Sequence, residues 1–132
     1  MRFVKVLLVF ALLGAYPAVA LAHKKPSQRQ QAALVKAFNK AVKAPAPIPA
    51  KCLREEISTV NASWAWVEFG FDHKGRLPVL CAKFASNGQA IFHHRAGTWH
   101  WVTSGSDFRN RNGSCSLDSR MPRKVIRDLG LC

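Results

Sequence analysis

A C-x-x-C pair, an H-E-x-x-H stretch and a G-x-S-x-G turn are all missing from this chain. Their absence removes the usual sequence signs of a thiolate metal clip, a helical zinc-protease site and a serine-hydrolase elbow. No segment repeats. After residue 22 no apolar run could cross a membrane, which takes about 20 residues. Acidic side chains are scarce as well: 7 Asp and Glu stand against 20 Lys and Arg, a formal net charge of +13. Such an excess predicts salt-sensitive attraction to polyanions and names no particular ligand.

What is present begins with a leader. Residues 1–22, MRFVKVLLVFALLGAYPAVALA, place Arg2 and Lys5 ahead of an apolar stretch and end on Ala20-Leu21-Ala22. That order reads as a signal peptide, with the exported chain starting near His23 in a secreted or periplasmic setting. Gly14, Tyr16 and Pro17 interrupt the apolar run too early for a membrane anchor. Cys52, Cys81, Cys115 and Cys132 all follow the leader. An even cysteine count in a small exported chain reads as two disulfides. Three pairings are open, and Cys52–Cys81 with Cys115–Cys132 is the expected one.

The clearest helix covers residues 26–43. Ser27 and Gln30 form a capping box after Pro26. At about 100° per residue, Leu34, Phe38, Ala41 and Val42 share one side, and Arg29, Lys36, Lys40 and Lys43 the opposite side. Those four cations are the candidate polyanion-binding residues, although an ordinary solvated face has the same pattern. APAPIPA at 44–50 then makes a stiff extended connector.

Strands are expected at 57–60, 63–71 and 79–84, with turns at 72–76 and at Asn87-Gly88. In SWAWVEFGF, Trp64, Trp66 and Glu68 share one face, and Ala65, Val67 and Phe69 the other. Neither face is purely polar, so cover on both sides is expected. Ala96-Gly97 turns a hairpin in which His94 faces Trp99, Phe92 faces Trp101 and His93 faces His100. Residues 104–120 read as a loop and MPRKVIRDLGLC as a short helix, with Pro122 at its start and Gly130 past its end. The result is an α+β fold: an N-terminal amphipathic helix packed on an antiparallel meander of three to five strands, then a short C-terminal helix. Residues 23–51, helix and connector, join the stapled part, 52–132, in one domain.

Two classes of function fit. The first is a non-enzymatic binding module for an anionic polymer of the cell envelope or an extracellular protein partner, needing no cofactor. The second is a small ribonuclease-like hydrolase. Cleavage of RNA needs a general base, a general acid and a cation on the phosphate, and Glu68, His100 and Arg95 are the residues of suitable type. His93 and His100 lack a third ligand for catalytic zinc.

Three stretches, ISTVNASWAWVEF, HHRAGTWHWVTSG and CSLDSRMPRKVIRDLGLC, resemble small secreted actinobacterial-type proteins of uncharacterised function. The resemblance implies a secreted α+β domain whose C-terminal helix is pinned by a terminal cysteine. It implies no activity and transfers no catalytic residue. The chain departs from that pattern in its DFRNRNG insertion and its additional cysteine pair.

Overall fold

The computed structural model describes residues 24–43, 46–72, 74–84 and 88–132. Residues 1–23, 44, 45, 73 and 85–87, with the expectations placed on them, the leader and the turn at Asn87 included, lie outside the described residues.

Helix α1 spans Gln28–Val42. Ser27 Oγ accepts from the Gln30 amide at 3.3 Å, and Gln30 Oε1 accepts from the Ser27 amide at 2.9 Å, so the capping box closes as read. The connector is tied back to the helix through Asn39. Asn39 donates to the carbonyls of Val35 and Ile48 and accepts from the Ile48 amide at 2.7 Å, which seats Ile48 in the core.

Four strands follow in a simple antiparallel meander: β1 (Leu53–Ile57), β2 (Trp64–Phe69), β3 (Gln89–Arg95) and β4 (Thr98–Gly105). Helix α2 (Arg123–Asp128) closes the chain. The sheet is covered on both faces, as the two-sided apolar pattern of β2 requires. On one face Leu34 and Phe38 of α1 meet Leu53, Ile57, Ala65, Val67 and Phe92. On the other, Trp64, Trp66 and Ile91 meet Phe108, Leu117, Met121 and the α2 residues Val125 and Ile126. The loop after β4 therefore contributes Phe108 and Leu117 to a second core.

Both disulfides form as expected, Cys52–Cys81 and Cys115–Cys132. The first joins the start of β1 to the turn around Cys81, whose sulfur side alone is buried, and the second ties the end of α2 to the preceding loop. After α2, Gly130 takes φ +64°, and the amides of Gly130 and Leu131 reach back to the carbonyls of Arg127 and Ile126. This is the Schellman closure that a glycine past a helix end permits. Asp128 receives the Thr59 amide and hydroxyl, each at 2.7 Å, and so clamps α2 to the β1–β2 turn. Among the described residues no helix is long and apolar enough to cross a membrane.

Two strand expectations are corrected. The first strand lies at Leu53–Ile57 rather than 57–60. Its alternation buries Leu53, Glu55 and Ile57 toward α1, and the chain turns away after Ile57. Residues Val79–Phe84 form a 3₁₀ segment instead of a strand. Pro78 starts its first turn, and Cys81 is drawn to Cys52 rather than into a ladder, which leaves Val79 94% exposed.

Candidate functional site

The hairpin that carries the conspicuous aromatics has the expected register: His94 opposite Trp99, His93 opposite His100, Phe92 opposite Trp101. Ala96 and Gly97 have φ of +48° and +78°, the left-handed pair that a two-residue turn of this hand needs. Alternation then sends Trp99 and Trp101 to the α1 side of the sheet. Trp99 packs against the core and touches the His94 ring edge-on at 5.0 Å. Trp101 remains 51% exposed.

Helix α1 lies alongside this edge of the sheet. Between them open two adjoining cavities of about 420 and 300 Å³, which share Ala37, Lys40, Trp99 and His100 in their walls. Ala33, Ala37 and Ala41 fall on one ridge of the helix at intervals of four residues. Their small side chains leave the space between helix and strand unfilled. Lys36 and Lys40 line the first cavity, and Lys40 and Lys43 the second. No carboxylate is among the described lining residues. The basic stripe and the tryptophan pair, far apart in sequence, thus form two walls of one groove. Arg29, the fourth cation of the stripe, is exposed outside this lining.

The hydrolase residues have a different placement. Strand β3 separates β2 from β4. His100 lies level with His93 and Trp64, whereas Glu68 lies level with Gln89, four residues further along. That is about 13 Å of strand. Glu68 instead pairs with Arg54 at 3.4 Å, beside Glu56, and Arg54 also covers the Trp66 ring. Partial burial raises the Glu68 pKa against the pull of Arg54. His100 Nε2 lies 2.9 Å from Thr98 Oγ1 and 3.2 Å from the Arg95 carbonyl, so it buttresses the hairpin end. The three residues do not converge, because the meander inserts a whole strand between base and acid.

His93 stacks flat on Trp64, with centroids 4.1 Å apart and planes 9° from parallel. Burial lowers its pKa, and nearby Arg95, His100 and His94 lower it further. Among the described residues no three His, Cys, Asp or Glu side chains gather as a metal site.

Sequence reading passed over Glu55. It sits on β1 facing α1, only 4% exposed, and accepts from Gln31 Nε2 at 3.2 Å. Burial lifts its pKa from 4.5 to about 7, more than the Gln31 bond lowers it. The folded state therefore holds this proton more tightly than the unfolded chain. Stability from Glu55 is complete below about pH 4.5 and is lost as pH rises through about 7. The full shift is worth on the order of 3 kcal/mol. Urea unfolding should show the protein less stable at pH ~8 than at pH ~5, and Glu55→Gln should flatten that slope. An unchanged slope in the variant would exclude Glu55 as its source.

The chain matches no known protein family, no curated protein and no solved structure.

Proposed function

We propose that this protein is a secreted or periplasmic, non-enzymatic binding module that holds an anionic partner in the groove between α1 and β4. The supporting observation is the shared cleft itself. Lys36, Lys40 and Lys43 border it on the helix side, and Trp99 and Trp101 stand on the strand side. The lysines supply attraction that acts at a distance. The indole rings supply flat apolar surface on which a partner can rest. Two disulfides in a small, basic, leader-bearing chain fit an oxidising compartment outside the cytoplasm. A polymer or a protein of the cell envelope is the class of partner that such a groove suits.

The test is binding of polyphosphate, as a generic linear polyanion, to the oxidised protein at increasing salt. Three lysines releasing counterions should weaken binding about 20- to 40-fold between about 50 and 200 mM salt. Salt-independent binding, or no binding at low salt, would overturn the proposal.

A further inference from the structure

The two edges of the sheet are protected very differently. Strand β1 is short, carries Arg54, Glu55 and Glu56, and exchanges main-chain bonds with Lys24 at Ile57, 2.9 and 3.2 Å long. Charge and cover are the ordinary means of keeping an edge from pairing. Strand β4 has eight residues, TWHWVTSG, with no Lys, Arg, Asp, Glu or Pro. Its only break is a bulge where Ile91 and Phe92 change register, which leaves Thr98–Trp101 as the regular part. That part lines the groove.

The main chain there is also oriented for pairing. The His94 amide donates to Ser63 on the β2 side at 2.7 Å. The His94–Trp99 pair is therefore a non-hydrogen-bonded pair of the β3–β4 ladder. Antiparallel alternation directs the Trp99 N–H and C=O to the open edge. Lys36 and Lys40 stand about 6 Å apart along the helix, close to the ~6.8 Å between alternate side chains of a strand.

Resting on the groove reading above, we propose that the occupant is an extended, acidic segment of a partner protein that adds to the sheet along β4 as a fifth strand. Its main chain pairs with the Trp99 edge, and alternate carboxylates face Lys36, Lys40 and Lys43. Strand addition takes affinity from main-chain bonds and specificity from alternate side chains. A second copy of this chain is the poorer occupant, because it would set two walls carrying Lys36, Lys40 and Lys43 against each other.

The experiment titrates the oxidised protein with a short synthetic peptide alternating glutamate and threonine. Two N-methylated forms, one blocked at every glutamate amide and one at every threonine amide, keep the charge. An added strand pairs through one set of amides only. One form should lose at least about tenfold in affinity, the other should retain it, and the Trp99 amide should exchange more slowly in the complex. Equal behaviour of the two forms, or an unprotected Trp99 amide, would overturn strand addition. So would binding of polyphosphate without binding of the peptide, although the groove reading would then stand. Failure of both peptide and polyphosphate to bind would remove the groove reading as well.

Discussion

Replacing Cys52 and Cys81 together with alanine is expected to lower the unfolding free energy by about 4 kcal/mol. The bridge spans 29 residues, and closing a loop of that length is worth about 3.5 kcal/mol in the chain-entropy treatment. Both sulfurs are also fully buried in the α1-side core, so truncation adds a small packing loss. The segment freed is one with little other anchorage: Leu77, Val79 and Leu80 around the 3₁₀ turn are exposed. For a chain of this size, with total stability of about 5–15 kcal/mol, that is a large fraction. Thermal unfolding should fall by about 20 °C. Breaking Cys115–Cys132, which spans 17 residues, should cost about 3 kcal/mol and loosen α2 first. A thermal midpoint unmoved by loss of Cys52–Cys81 would show that the turn at 79–84 is held by packing alone.

Changing Lys36, Lys40 and Lys43 together to glutamine should reduce polyphosphate binding about 100-fold at low salt. The figure follows from about 1 kcal/mol for each cation held beside an anionic surface. All three side chains are exposed, so stability should change little apart from a few tenths of a kcal/mol for Lys40 near the helix C-terminus. Arg123, Lys124 and Arg127 on α2 provide the comparison. Neutralising them removes the same charge from the opposite side of the sheet and should weaken binding far less. Equal losses from the two sets would mean that net charge, not the groove, attracts the polymer. Ala33→Phe adds a geometric check, since a ring at this exposed site would block the first cavity without altering charge.

Local signals account for what the sequence made legible. Ser27 and Gln30 announce α1, and alternation around Ala96-Gly97 gives the pairing of β3 with β4 from the turn as far as Phe92 and Trp101, beyond which a bulge shifts the register. Apolar residues on both faces of β2, Trp64 and Trp66 on one and Ala65, Val67 and Phe69 on the other, point to cover on both sides. The strand at Leu53–Ile57 was obscured because Arg54-Glu55-Glu56 reads as solvent-facing, and only the fold reveals that Glu55 turns inward. The 79–84 segment has a strand's composition, yet a disulfide and a preceding proline decide its shape. The groove was half visible. Its lysines and its tryptophans could each be named, but their meeting depends on α1 lying beside β4, a non-local choice that leaves no mark in either segment. The separation of Glu68 from His100 follows from the same kind of fact, the presence of β3 between them.

The four tryptophans offer the most direct test of binding in the groove. Trp64 and Trp66 are buried in the core on the α2 side, and Trp99 and Trp101 stand at the groove. The indole N–H signals of the oxidised protein can be followed by NMR while polyphosphate is added. Occupancy of the groove requires the Trp99 and Trp101 signals to shift with saturation while those of Trp64 and Trp66 stay in place. Saturable binding that leaves Trp99 and Trp101 unmoved, or that perturbs only the surface around Arg120, Arg123 and Arg127, would contradict it.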